Sequence, residues 1–133
     1  MVSFYMKKVT NFLQAVQRLR EAVEEHLKHP NNDVIRDGMI QRFEFTFELS
    51  WKAAKEYLLD QGVANELNFP KQVLKTAYGN QMINDESVWL DMLESRNRTS
   101  HIYDDRIAAK IARDISTRFL PVLEDLAEYF REN

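Results

Sequence analysis

The stretch Ile35-Arg36-Asp37-Gly38-Met39-Ile40-Gln41-Arg42-Phe43-Glu44-Phe45-Thr46-Phe47-Glu48-Leu49-Ser50-Trp51-Lys52-Ala53-Ala54-Lys55-Glu56-Tyr57-Leu58 decides the fold. Its centre, Phe43-Glu44-Phe45-Thr46-Phe47, alternates like a strand if read alone. The wider window says otherwise. Ile35, Met39, Phe43, Phe47, Trp51, Ala54 and Leu58 recur at steps of four or three with no turn signal between them, which is the stripe of a helix. The spacing predicts one helix over 34–61, about 27 residues and ~40 Å long at 1.5 Å per residue. Gly62 is its expected stop. The group Phe43, Phe45, Phe47 and Trp51 is expected in the core rather than around a cofactor. Glu48–Lys52 and Lys52–Glu56, each four apart, read as pairs on a solvated face.

Working outward, Val9, Phe12, Leu13, Val16, Leu19, Val23 and Leu27 form a second stripe over about Met6–Leu27. Pro30 breaks it, and Asn32 or Asp33 is placed to cap the next helix. Pro70 opens a short helix through Lys71–Tyr78, closed by Gly79-Asn80. A further helix starts near Asp85, with Val88, Trp89, Met92 and Leu93 forming a face that continues toward Arg96–Tyr103. Asp104-Asp105 reads as a fresh start. Ile107, Ile111, Ile115, Phe119, Val122, Leu126 and Phe130 carry the last helix, in which Pro121 should produce a kink or a local break. Four long helices and one short one, joined by short connections, predict an all-α, antiparallel four-helix up-and-down bundle with an additional short helix. It forms a single domain over 1–133.

Composition agrees. The chain has 133 residues, 3 Gly and 3 Pro, too few turn residues for an all-β fold or a glycine-rich phosphate loop. It has no cysteine, which excludes a disulfide scaffold, a CxxC redox centre and a thiolate zinc site. The net charge of −3 excludes a polybasic coat protein but leaves room for a local basic site. No segment approaches the ~18 apolar residues of a membrane span, and the N-terminus lacks the apolar core of a signal peptide. The expected location is therefore cytoplasmic, with no membrane association.

The histidines are the first candidates for chemistry. His26 and His29 have a helical ligand spacing, but they close a helix before Pro30, where histidine more often meets free carbonyls; no metal is expected. The densest polar cluster is Glu94-Ser95-Arg96-Asn97-Arg98-Thr99-Ser100-His101-Ile102-Tyr103-Asp104-Asp105. Polar residues replace the apolar periodicity there, which puts the cluster at a helix end within reach of a substrate. On an uninterrupted helix Asn97 and His101 share one side, about 40° apart, while Arg96 is offset from His101 by about 140°. Arginine with histidine suits phosphodiester chemistry. A guanidinium clamps phosphate through two hydrogen bonds, and an imidazole with a pKa near ~6.5 exchanges protons with a ribose 2′-hydroxyl or a leaving group. The pair needs no cofactor. Spacing alone does not separate such a site from a capped, solvated helix end, because Arg20 precedes His26 at a similar interval. Residues 81–104 carry only Arg96 and Arg98 against Asp85, Glu86, Asp91, Glu94 and Asp104. RNA binding by counterion release therefore argues for a dimer that doubles the arginines.

Three stretches carry a family likeness: Ile40–Lys52, with its Phe-rich run; Trp89-Leu90-Asp91-Met92-Leu93-Glu94; and Arg96-Asn97-Arg98-Thr99-Ser100-His101-Ile102-Tyr103, an R-x4-H-x-Y sequence. In these the chain resembles the helical HEPN family, in its HepT toxin branch, long labelled nucleotidyltransferase substrate-binding proteins. The resemblance implies a bundle like the helical domain of kanamycin nucleotidyltransferase. It implies a homodimer whose two motifs meet in one cleft and cut an RNA substrate without a metal ion. Arg96 and His101 would be the catalytic pair, with Asn97 as the polar residue beside Arg96. The resemblance further implies a toxin–antitoxin pair, in which a minimal nucleotidyltransferase antitoxin neutralises the toxin by transferring AMP to Tyr103. The alternative is a non-catalytic subunit that presents a substrate, or its own tyrosine, to a separately encoded nucleotidyltransferase.

Overall fold

A computed structural model describes residues 4–63 and 66–133. Residues 1–3, the start of the segment read as no signal peptide, lie outside it. The elements are α1 (Phe4–Lys28), α2 (Asp33–Asp60), α3 (Pro70–Gly79), α4 (Glu86–Asn97), a 3₁₀ turn (Thr99–His101), α5 (Asp105–Asp114), a π turn (Ile115–Phe119) and α6 (Leu120–Glu132). No strand occurs among the described residues, so the Phe-rich run is helical. No described helix is long and apolar enough to cross a membrane.

The starts follow the expected caps. Asn32 Oδ1 accepts the Ile35 N–H at 3.0 Å, Asp85 Oδ1 accepts the Val88 N–H at 3.2 Å, and Asp104 Oδ1 accepts the Arg106 N–H at 2.9 Å. Each satisfies a donor that the first turn leaves free. Pro70 occupies the first turn of α3. Gly62, at φ +83°, ends α2: its own N–H donates to Leu59 O at 3.1 Å, while the Val63 N–H reaches Leu58 O at 3.0 Å, the paired bonds of a Schellman stop. The end of α3 differs from expectation. Gly79 stays helical, and the left-handed position falls on Gln81, at φ +64°. There the Met82 N–H reaches Ala77 O at 2.9 Å, in the same closing pattern.

Side-chain pairs give the directions. Tyr5 meets Tyr57, Thr46 bonds to Ala15 O and Arg42 to Arg18 O; one number rises as the other falls, so α1 and α2 are antiparallel. Phe12 meets Phe130, and Arg20 pairs with Glu124, so α1 and α6 are antiparallel too. Asp91 pairs with Arg118, while Arg98 and Ile107 line one recess, which runs α4 against α5. The result is the up-and-down bundle, with α3 as the short extra helix.

α2 lies at its centre. Met39, Ile40, Phe43, Phe47, Ala53, Ala54 and Leu58 are buried, a wider arc than the single stripe of the sequence because several helices pack around it. Phe43 stacks on Phe119 at 5.4 Å between centroids, and Phe47 meets Trp89 at 6.3 Å, so one aromatic row joins α4, α2 and the π turn. Burying each such ring contributes roughly 1.5–3 kcal/mol. Two expected core members are not in it: Phe45 is 38% exposed and Leu27 64% exposed. Phe45 sits two residues, about 200°, from both Phe43 and Phe47 and so faces away. Leu27 falls in the last turn of α1, beyond the reach of neighbouring helices.

Pro121 marks the local break: α5 stops at Asp114 and α6 starts at Leu120, with the π turn between them. The chain widens by one residue just before it, and the Leu120 N–H donates to Ile115 O, a bond five residues back. A proline ring collides with the carbonyl four residues behind it and leaves that carbonyl without a donor; the wide turn moves the clash aside. Ser116 and Thr117 reinforce it by bonding to Ala112 O at 3.0 Å and Arg113 O at 2.8 Å. The widening swings Phe119 fully into the core.

Candidate active site at the end of α4

α4 ends at Asn97, Arg98 caps it, and the chain tightens into the 3₁₀ turn that carries His101. The helical-wheel offsets between Arg96 and His101 therefore do not apply. The turn is held from beneath by α2. Thr99, one of few buried polar residues, lies with its hydroxyl 2.5 Å from Glu44 Oε2 and 2.8 Å from Arg96 O. One turn further along α2, Glu48 Oε1 is 2.5 Å from Arg96 Nη2. Arg96 Nη1 also donates to Asn97 Oδ1 at 3.4 Å. Its Nε is buried without an acceptor.

Glu44 and Glu48 are what sequence reading misses. Spacing puts Glu48 on a solvated face, and it does lie 3.8 Å from Lys52. Its closer partner is Arg96, 48 residues away in sequence. The available signal is their position: each follows a buried phenylalanine by one residue, about 100° around the helix, at the margin of the packed face. A carboxylate at such a margin is reached by the next helix.

Arg96 keeps donors to spare. A guanidinium has five N–H groups, and Glu48 and Asn97 each take one from a different terminal nitrogen, leaving one on each. The side chain is 37% exposed. His101 and Asn97 are exposed, and Tyr103 is 79% exposed. His101 Nδ1 lies 3.2 Å from Tyr103 Oη, with the rings edge to face at 5.9 Å. If Nδ1–H donates to the phenol, Nε2 keeps its lone pair and is free to accept a proton. Among the described residues Arg96 and His101 make no hydrogen bond to each other. Each is oriented by its own partner, Glu48 for one and Tyr103 for the other.

A second anchor fixes the start of α5. Arg36, nearly buried, is 3.0 Å from Asp37, 3.5 Å from Asp33 and 3.4 Å from Asp105. Burial works against its charge, but the bond to Asp37 and the neighbouring carboxylates raise its pKa above the usual arginine range. His26 and His29 are not brought together as ligands. His29 Nε2 is 3.4 Å from Glu25, while burial, and then the charge of Arg36, lowers the His26 pKa. No group of three metal-ligating side chains occurs among the described residues.

Comparison with known proteins identifies the family. Residues 7–132 match the family described as nucleotidyltransferase substrate binding protein like. The chain is 34% identical over 104 residues to the probable ribonuclease HepT of Haemophilus influenzae, covering 75% of this chain and 70% of that protein. Its fold superposes on HI0074 of Haemophilus influenzae, reported as the fold of a substrate binding domain of a nucleotidyltransferase. That match has a TM-score of 0.84 and 28% identity, and covers 92% of this chain and 98% of the other. A crystal structure of ttk003001694 from Thermus thermophilus matches at a TM-score of 0.79 and 29% identity, over 89% and 97% of the two chains. With nearly its whole length matched in sequence and in fold, the chain belongs to the HepT-like family of nucleotidyltransferase substrate-binding proteins.

Proposed function

We propose that this protein is the toxin of a toxin–antitoxin pair, a metal-independent endoribonuclease that acts as a homodimer through Arg96 and His101. The observation that carries the reading is the pairing of an exposed imidazole with an exposed phenol, 3.2 Å apart, just past the last turn of α4, where Glu48 braces the guanidinium of Arg96. In the reaction, His101 Nε2 takes the proton of a ribose 2′-hydroxyl. The 2′-oxygen forms a bond to the adjacent phosphorus, and the bond to the 5′-oxygen breaks, leaving a 2′,3′-cyclic phosphate. The 5′-oxygen needs a proton as it leaves, and the imidazole of the second protomer supplies it. Arg96 donates its free N–H groups to the phosphate oxygens, whose charge grows in the transition state. Asn97, exposed and bonded to Arg96, keeps the guanidinium plane turned toward the phosphate.

Neutralisation uses the same turn. A minimal nucleotidyltransferase antitoxin takes the proton from Tyr103 as Oη bonds to the α-phosphorus of ATP, and pyrophosphate leaves. The product carries a phosphodiester where the phenol stood. Its aryl ester oxygen is a poorer acceptor for the Nδ1–H of His101 than the phenol was, and it sets a negative charge beside His101 that repels an RNA phosphate. The exposure of Tyr103 suits that transfer.

The test is RNA cleavage in the presence of a chelator by the wild type and His101→Ala, before and after incubation with the nucleotidyltransferase and ATP. Of these samples only untreated wild type should cleave; Tyr103→Phe, slowed by loss of its bond to His101, should cleave to the same extent before and after treatment. Tight association with the nucleotidyltransferase and no RNA turnover would instead make the chain a non-catalytic binding subunit.

A further inference from the structure

The local charge around the motif differs from that of its sequence window. Residues 81–104 are net acidic, but the fold sets the first two turns of α5 beside the end of α4 and adds Arg106 and Lys110. With Arg98 they line an open groove of ≈ 390 Å³, whose other walls are Ile107 and Asp104. Three cations face one carboxylate there, and that carboxylate is already engaged: Asp104 Oδ1 accepts the Arg106 backbone N–H at 2.9 Å and lies 3.8 Å from the Arg106 side chain, which is 95% exposed. Arg98 has no side-chain hydrogen bond or ion pair among the described residues. Lys110 is 2.9 Å from Asp114 but remains 61% exposed.

The adjoining recess between α4 and α5 is different. It holds ≈ 130 Å³ and is lined by Asp91, Glu94 and Asp114 as well as by Arg98, Lys110 and Arg118. Arg118 is matched there, 2.5 Å from Asp91 and 3.7 Å from Asp114. In the groove at the 3₁₀ turn Arg98 is unpaired, while Arg106 and Lys110 each share a carboxylate yet stay largely exposed, so positive charge outweighs negative there.

We propose that this groove carries the sugar-phosphate backbone of a single-stranded RNA next to the linkage being cut, with Arg98, Arg106 and Lys110 each meeting a phosphate. The inference rests on the ribonuclease reading above and adds to it the path of the substrate. Guanidinium groups with free N–H forks match phosphate oxygens bidentately, and Arg98 lies three residues before His101. Among the described residues no aromatic side chain lines the groove, so it offers no stacking platform of the kind that holds bases. It reads phosphates, and single-stranded DNA of the same length fits it equally well. Ribose is distinguished at His101, where the 2′-hydroxyl reacts.

The experiment measures binding of a fluorescein-labelled single-stranded RNA by anisotropy as a function of salt, with His101→Ala as the parent so that the RNA survives. Arg98→Gln, Arg106→Gln and Lys110→Gln together should weaken binding about tenfold or more at low salt and reduce the slope of log K against log salt by about 2, three contacts at ~0.7 each. Changing the exposed cations Lys7, Lys71 and Lys75, at the other end of the bundle, to Gln alters net charge equally and should move neither by much. In the protein with His101 intact, the groove variant should raise KM and leave kcat in place. Unlabelled single-stranded DNA should compete with the RNA. If the wild type cleaves RNA while the groove variant binds like its parent, the groove assignment is wrong and the ribonuclease reading stands. If the parent binds no RNA and the wild type cuts none, both fall. If the groove variant keeps RNA affinity and loses the nucleotidyltransferase, the surface belongs to a protein partner and the proposal is overturned.

Discussion

Replacing Glu48 by Gln tests whether α2 sets the position of Arg96. The carboxylate lies 2.5 Å from Arg96 Nη2, with side chains 23% and 37% exposed. A fully solvated ion pair is worth ~0.2–1 kcal/mol, and a hydrogen bond to a charged group roughly 1.5–3 kcal/mol. Partial exposure on both sides places this pair near the join of the two ranges, about 1 kcal/mol. For a chain of this length that corresponds to a fall in Tm of about 4 °C. The amide keeps the shape and one acceptor but removes the charge, so the loss measures the ionic part. A thermal-unfolding cycle of Glu48→Gln, Arg96→Gln and the double variant isolates the coupling, expected at about 1 kcal/mol. RNA cleavage should fall further than stability does, about tenfold or more, since a misplaced phosphate clamp acts on the transition state. A coupling below ~0.3 kcal/mol together with unchanged cleavage would return Glu48 to an ordinary solvated face and refute the positioning role.

Thr99→Val removes a buried hydroxyl from Glu44 and from the Arg96 carbonyl; it should cost about 1–2 kcal/mol in chemical denaturation and loosen the turn that holds His101. Gln81→Gly relieves a left-handed residue at φ +64° and should raise stability by about 1 kcal/mol, seen as a higher urea midpoint at unchanged m-value. Burial, with a bond to Tyr57, pushes the Tyr129 phenol from 10.0 up to about 12. The folded state thus resists losing that proton, so the contribution is whole below pH 10.0 and drains away as pH rises toward about 12. Tyr129→Phe should flatten Tm against pH over that interval.

Much of the fold is legible in sequence because it rests on local rules. The caps Asn32, Asp85 and Asp104, the proline at the start of α3 and the glycine that ends α2 each act within one turn of chain, and the apolar stripes report helices directly. The departures have tertiary or steric causes. Phe45 looks like core in sequence, yet its angle on α2 points it outward. Gly79 looks like the stop of α3, but the closing bond to Ala77 O puts the left-handed residue at Gln81. Pro121 promises a kink or a break, and the break is there, but its form, a π turn closed by the i→i−5 bond at Leu120, is not written in the sequence. At the candidate site, the exposure of His101 and Tyr103 at a helix end is readable from the lapse of periodicity after Leu93. The contacts of Glu44 and Glu48 with residues about fifty positions away are not, and neither is the juxtaposition of Arg98 with Arg106 and Lys110. Those depend on how α2, α4 and α5 pack, which no local pattern encodes.

The ends of the RNA fragments bear most directly on the central idea. A defined single-stranded RNA incubated in chelator with the wild type should yield 2′,3′-cyclic phosphate and 5′-hydroxyl termini, and His101→Ala at equal concentration should yield none while keeping the wild-type helical content. Fragments ending in 3′-hydroxyl and 5′-phosphate, or the same cyclic product from His101→Ala, would contradict an imidazole that activates the 2′-hydroxyl.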